Sequence, residues 1–358
     1  MWLGKEYKNL REGEAMSYTV KSSEKTRKSG AETETKALLY LMNLRKDSEE
    51  IYYFIVDFFN DLTGMDAFSD KLWDIQSKGA KGNSPKAIGK ELVTLFKNYM
   101  CDFEFADYIL FVGGVSNTVR IDDEINSFGI ENVNSDALQK MIEGLKEEAK
   151  DKEYIDDEDI TDINISDFLK KVRFVVEDRK PSEYVRAIIK NHPGLVPEEK
   201  VLDAIFNEIR DKQAGKKNVQ IVEGVVIETQ DEALRYFRHL TASDVRLLAL
   251  QRIINRNPVS QGIPMSFMPI LRTCPPEQEK DFIQECQTAL SKALFNKNSA
   301  ETFWALLEEV YGIILKNPLL DVNGIFNQMD RKIKKNAKDF DVLSLKYFIA
   351  QVKDGVQG

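Results

Sequence analysis

Sulfur and imidazole are scarce in this chain. Of its 358 residues only three are cysteine (Cys101, Cys274, Cys286) and two are histidine (His192, His239). The cysteines are odd in number, scattered and without CxxC spacing, which excludes a disulfide framework and argues against a zinc site. His192 falls in the turn-like Asn191-His192-Pro193-Gly194, and His239 is expected on a charged helix surface. Neither has an obvious serine or cysteine partner, so triad hydrolysis is set aside. Long apolar runs are missing too: Ile51–Phe59 and Tyr108–Val115 are far too short to cross a bilayer. The opening Met-Trp-Leu-Gly-Lys-Glu-Tyr lacks the apolar core of a signal peptide. The expectation is a cytoplasmic protein with no membrane partner. There is no low-complexity tract and no repeat at solenoid spacing. Nor is there a surplus of basic charge: the net charge is −9, which speaks against a generally basic nucleic-acid coat. Residues 1–100 and 181–358 are nearly balanced, and the surplus acid lies between about 101 and 180, chiefly in Asp151–Asp162. That run reads first as a solvated loop, and second as a partner surface or a competitor of DNA for a basic groove.

What is present is concentrated in Lys71-Leu72-Trp73-Asp74-Ile75-Gln76-Ser77-Lys78-Gly79. As a strand, its period of two puts Asp74, Gln76 and Lys78 on one face and Trp73, Ile75 and Ser77 on the other. Buried polar groups need partners, so a lysine and an amide sharing a face fit poorly in a plain core strand. They suit a face that borders a phosphate. Upstream, the strand-like run Ile51–Leu62 carries Asp57 and Asp61 on one face.

The remaining pattern supplies the frame. Ala31–Leu44 has an apolar stripe at helical spacing, and Ile51–Phe59 is rich in aromatic and β-branched residues, as strands are. Thr63-Gly64-Met65-Asp66 offers turn chemistry, which would make the two strands an antiparallel pair. Pro85–Met100 reads as an amphipathic helix, Tyr108–Val112 as a buried strand, 122–128 and 135–150 as helices, and 171–176 as another strand. From Ser182 the pattern is mostly helical: Pro197–Lys212, Val245–Asn255 behind the capping-box-like Thr241-Ala242-Ser243-Asp244, a helix from Pro275, Ser299–Leu315 and Asn323–Val352, with short strands in Val219–Thr229. The predicted fold class is α/β, a mixed sheet flanked by helices, plus a mainly α-helical C-terminal domain. The expected division is a weakly ordered 1–28, an α/β domain over 29–180, and a helical domain over 181–358 for control and association.

Hydrolysing a phosphodiester needs an activated water, stabilisation of charge at phosphorus and help for the leaving oxygen. A hard divalent ion such as Mg2+ or Mn2+ suits carboxylate and carbonyl ligands. Asp61, at a strand end, is the expected principal ligand. Gln76 would offer its carbonyl oxygen or the backbone carbonyl beside it, Glu34 would complete the shell, and Lys78 would hold the water or the phosphate. Asp57 is expected to stand behind the site, Asp66 and Asp70 in the turn; Asp74 shares the face of Gln76 and competes for the metal. The predicted catalytic residues are Asp61, Gln76 and Lys78, and the predicted metal ligands Asp61, Gln76 and Glu34.

Phe58-Phe59-Asn60-Asp61-Leu62-Thr63-Gly64 followed by Leu72–Gly79 resembles the double-stranded-DNA endonuclease domain at the N-terminus of cyclic-oligonucleotide-activated antiphage effectors, found also in the nuclease subunit of Lamassu-type defence systems. Ser29–Leu39 is similar to that family's opening helix, with Glu34 where a Gln or Glu usually stands. The family is a restriction-endonuclease-like (PD-(D/E)XK) variant whose middle acid is a glutamine. The resemblance covers about residues 28–115 and extends faintly to about 215. It implies cleavage of double-stranded DNA. Residues 216–358 do not match the messenger-binding sensor, so control by partner proteins is expected. In the Lamassu setting these would be an SMC-like ATPase and an accessory subunit, with self-assembly on activation. The alternatives are a trigger by a cyclic oligonucleotide through the C-terminal half, and a non-catalytic DNA-binding or scaffold subunit that keeps the fold.

Overall fold

The computed structural model describes residues 17–21, 30–177, 179–189, 191–217, 219–296 and 299–357. The expectation of weak order over 1–28 lies outside these residues, apart from the short strand β1 (Tyr18–Thr19) and its flanks. The chain divides into two compact units. The first comprises the described residues up to Arg179 together with Arg210–Thr241; the second comprises Lys180–Ile209 and the residues from Ala242 onward.

The first unit opens with helix α1 (Gly30–Asn43), followed by strands β2 (Ile51–Val56), β3 (Leu62–Asp66) and β4 (Leu72–Lys78). Helices α2 (Pro85–Glu91) and α3 (Val93–Met100) cross over to β5 (Phe105–Val112). After β6 (Ser127–Phe128), helices α4 (Ser135–Lys150) and α5 (Asp162–Lys171) lead to β7 (Val172–Val176). Helix α7 (Glu199–Lys217) follows α6 (Pro181–Arg186), then β8 (Val226–Ile227) and β9 (His239–Thr241). Seven strands form one mixed sheet in the order β6-β7-β5-β4-β3-β2-β9. Strands β2, β3 and β4 run antiparallel, and β4, β5 and β7 run parallel. A separate ribbon pairs β1 with β8.

The mixed sheet with flanking helices matches the predicted α/β layout, with several local corrections. Ile51–Leu62 is not one strand. Asp57 takes a left-handed φ of 55°, and the chain reverses through residues 57–61, closed by Asp57 N–H donating to Asp61 O at 3.2 Å. Thr63–Asp66 is then the second strand of a three-strand meander and not a turn. The turn is Ala67–Asp70, where the Asp66 carboxylate accepts from the backbone of Phe68, Asp70 and Lys71. Pro85–Met100 breaks at Leu92 into two helices. Residues 122–126 are not helical: at the start of that segment the Asn132 side chain takes both backbone groups of Asp122, a local alternative to helix. His239 lies in strand β9 on the free edge of β2, not on a helix: a three-residue strand has no readable period.

Helix α1 covers one sheet face. A Cβ at Gly64 of β3 would lie 3.0 Å from Ile51 Cγ2 and 3.1 Å from Leu41 Cδ1. On the other face lie α3, α4 and α5, around a core that includes Phe96, Tyr108, Met141, Leu145 and Phe168. Helices α2 and α4 cross there at two glycines, Gly89 and Gly144.

The second unit contains α6, the first part of α7, α8 (Ala242–Ile253), α9 (Met268–Leu271), α10 (Glu279–Phe295), α11 (Ala300–Lys316), α12 (Val322–Gln328), α13 (Arg331–Asn336) and α14 (Val342–Gln357). This is the helical C-terminal region that the sequence predicts, with Asn323–Val352 divided among three helices. Its core gathers Leu250, Ile254, Phe267, Leu306, Leu307 and Phe348. His192 is buried there, its Nδ1 3.0 Å from Glu308 Oε2. No helix among the described residues is long and apolar enough to cross a membrane.

Candidate functional site

The strand face that carries Asp74, Gln76 and Lys78 meets a stripe of the covering helices rung by rung. Asn98 Nδ2 donates to Asp74 Oδ2 at 2.7 Å, Thr94 Oγ1 donates to Gln76 Oε1 at 2.8 Å, and Lys78 Nζ pairs with Glu91 Oε2 at 3.2 Å. The match is geometric. Two residues of strand advance about 6.6 Å, and three or four residues of helix about 4.5–6 Å, so the partners at 98, 94 and 91 keep pace with 74, 76 and 78. A strand that looked anomalous alone is satisfied by polar groups at matching intervals, Glu91 at the end of α2 and Thr94 and Asn98 on α3. The rungs differ in exposure: Asp74 is fully buried, and the Lys78 side chain is 20% exposed.

Asp61 sits differently. The backbone position opposite Gln76 belongs to Asp61, one residue before β3 begins. Its carboxylate Oδ2 accepts from Ser77 N–H at 2.9 Å and from Ser77 Oγ at 3.1 Å. It therefore takes the place of the next rung between β3 and β4, in a notch at the sheet's end that both faces border. The loop behind it is braced by Arg238, whose Nη1 donates to Asp57 O at 2.8 Å and whose Nη2 donates to Gln220 O at 2.5 Å. Asp57 itself stands 3.9 Å from Arg238 Nη1, as the acid of that brace.

Around Asp61 lie the charges of Glu34, Lys78 and Lys217. Burial pushes the Asp61 carboxyl up to about 7, against the two backbone and side-chain donors of Ser77 and the nearby lysines; the negative Glu34 adds to the rise. Glu34, on the first turns of α1, pairs with Lys217 of α7 at 2.7 Å, both side chains almost buried. Of the sequence-predicted residues, then, Asp61, Glu34 and Lys78 are brought near one another. Gln76 is held by Thr94 on the face of α3, so its amide is not directed at Asp61's Ser77 contact.

Asp74 anchors a second, largely buried network. Asn98 ties it to Phe59 O at 3.2 Å and to Tyr18 Oη, while Lys97 Nζ donates to Tyr18 Oη at 2.6 Å. Burial raises the Asp74 carboxyl to about 7 and depresses the Lys97 ammonium to about 8. The linkage has a definite sign. The folded chain holds the Asp74 proton up to about pH 7, whereas the unfolded chain releases it near 3.8. Stability is therefore expected to fall as pH rises from about 4 to about 7, and to level off above it. Asp61 acts in the same direction, and Lys97 titrates above this window. Asp74→Asn should remove part of that slope and raise the melting temperature at pH 8 relative to wild type. An unchanged pH–stability profile would show that Asp74 is ionised in the fold.

Among the described residues no group of three or more His, Cys, Asp or Glu gathers as a metal cage. Magnesium does not require one: it is commonly held by one or two carboxylates, with waters and substrate phosphates completing its octahedron. The pair Glu34 and Asp61 fits that donor set. Beside the site, a cleft of about 190 Å³ is lined by Gln76, Lys90, Glu91, Thr94, Lys152 and Tyr154, among others. Sequence reasoning did not find Lys217, Ser77 or Arg238. Asn98 had no distinguishing local signal, since Thr94 and Lys97 are polar in the same short helix.

Comparison with protein-family models, with curated proteins and with solved structures finds no match to this chain.

Proposed function

We propose that this chain is a metal-dependent endonuclease acting on double-stranded DNA, the cutting subunit of an antiphage defence system of the Lamassu type. The observation that carries the reading is the Asp61 carboxylate, fixed on Ser77 at the sheet's end with Glu34 and Lys78 close around it. The order helix, three antiparallel strands, crossover helices and a parallel fourth strand is in keeping with a restriction-endonuclease-like core.

Asp61 and Glu34 would hold a Mg2+ or Mn2+ ion. Such an ion supplies Lewis-acid polarisation of the phosphate and a bound water of lowered pKa. Lys78, leaving Glu91, neutralises the charge that develops on the phosphate oxygens. Gln76 fixes the strand end through Thr94 and acts as a positioning residue. Water gives up one proton to solvent as its oxygen bonds to phosphorus, the bond from phosphorus to the sugar oxygen breaks, and that oxygen takes up one proton from solvent, so the protons balance. The net charge of −9 is consistent with a DNA groove completed only on assembly with partners or with further copies of the chain. Efficient cutting by the isolated monomer would refute that regulation, and binding of a cyclic oligonucleotide in calorimetry would favour a small-molecule trigger instead.

A second reading has its own support: the Gln76–Thr94 and Lys78–Glu91 rungs satisfy these side chains without any substrate. The chain would then be a DNA-binding scaffold with a nuclease-like fold. Supercoiled plasmid incubated with Mg2+ or Mn2+, in the presence of the partner subunits, separates the two. Cleavage by wild type that drops at least about a hundredfold in Asp61→Ala is expected. Cleavage indifferent to that change would sink the site, and no cleavage under any condition would leave the scaffold.

A further inference from the structure

Lys217 is a cation that α7 brings to the site, and its position is set by more than one contact. On α1, Glu34 meets Lys217 at 2.7 Å, with side chains 10% and 9% exposed. One helical turn earlier, Gln213 Oε1 lies 2.9 Å from Thr35 Oγ1, in a residue that is 1% exposed. The end of α7 is thus seated on the start of α1 through polar groups, and Gln213 Nε2 is buried there with no hydrogen-bond partner. A contact of this kind is held by charge and hydrogen bonds, so a partner that leaves must be replaced by another cation or donor.

We infer that Lys217 is a resident counter-ion of the site: its ammonium occupies the place beside Glu34 that a divalent cation takes, and the cation binds by displacing it. The inference rests on the nuclease reading, with Glu34 and Asp61 as the cation's ligands. A buried carboxylate needs a positive neighbour in either state. Without the ion, Lys217 is that neighbour; with it, the two cations would repel at close range. Cation affinity is therefore coupled to where α7 ends. Lys217 is the last residue of that helix, so a displacement of the helix end would carry the ammonium with it. In this way a site with intact ligands is kept weak for its metal until α7 withdraws.

The test uses the full chain and Mn2+ alone, with binding followed by calorimetry and melting temperature recorded with and without the ion. Lys217→Met should bind Mn2+ on the order of tenfold more tightly than wild type. It should also melt lower than wild type without Mn2+ and recover in its presence, since the ion replaces the lost ammonium. Lys217→Arg should keep the wild-type affinity, and Glu34→Gln should weaken binding in either background. Should Lys217→Met fail to fold alone, Lys217→Gln, which keeps a donor for Glu34, carries the test. Failure of both to fold in Mn2+ would overturn the inference. Glu34-dependent binding that is no tighter in Lys217→Met overturns it while leaving the nuclease reading intact. Absence of any binding that depends on Glu34 or Asp61, in every variant, overturns both.

Discussion

Lys78→Ala is expected to lower the cleavage rate by about a hundred- to a thousandfold, or roughly 3–4 kcal/mol of barrier. The reason is where the charge stands. Lys78 closes β4, one residue past the Ser77 that holds Asp61, and its charge acts on that carboxylate. Before attack Lys78 is paired with Glu91, and the phosphate it would turn to gains further negative charge as the water attacks. The interaction is thus made chiefly in the transition state, so kcat and kcat/KM should fall together. Loss of folding cannot mimic this. The pair with Glu91 is partly exposed, at 20% and 36%, and such pairs contribute at most about 1 kcal/mol. Lys78→Arg should recover only part of the rate, since a planar fork cannot reproduce a point charge in the same space. Single-turnover rates and melting curves on the same preparations check both statements. A Lys78→Ala enzyme within about threefold of wild type would remove Lys78 from the chemistry.

The largest effect on stability is expected at the crossing of α2 and α4. A Cβ at Gly89 would lie 2.0 Å from Met141 O, and one at Gly144 would lie 2.2 Å from Lys86 O. The two helices touch backbone to backbone at both points, with each glycine facing the other helix's carbonyl. Alanine would gain about 1 kcal/mol of helix propensity at either position. That gain cannot offset the clash, because a carbonyl oxygen in a packed helix has no rotamer to escape into. The helices must separate by more than an ångström, loosening Met141, Leu145 and Ile88 in the core. Each single Gly→Ala should cost about 2–3 kcal/mol net and lower the melting temperature by roughly 4–12 °C. The double variant should cost less than the sum, since one separation relieves both clashes. Gly215 is the control: it lies in α7 with nothing within 4 Å of its Cβ position. Gly215→Ala should stabilise by up to about 1 kcal/mol. Melting curves that rank Gly89→Ala with Gly215→Ala would refute the close crossing.

Much of the frame was legible in the residues. Period-two alternation gave β4 its two faces, apolar spacing gave α1, and the helical C-terminal pattern gave the second unit. Short elements escaped for a common reason: β3, β6 and β9 have at most five residues, too few to show a period. Thr63–Asp66 misled because Gly64 suggests a turn. In the fold its missing side chain makes room for Leu41 and Ile51 above the sheet.

The site divides along the same line. Sequence alone singled out Asp61, Gln76 and Lys78 as the candidate residues at short range, because they lie within one meander and strand periodicity assigns the faces of Gln76 and Lys78. It could not determine that Gln76 would be claimed by Thr94, that Asp61 would settle on Ser77 in place of a strand rung, or that Lys217 would travel from α7 to Glu34. Those pairings join positions as much as 183 residues apart, Glu34 to Lys217. Only packing fixes them, because a buried charge must find its partner wherever the fold has brought one.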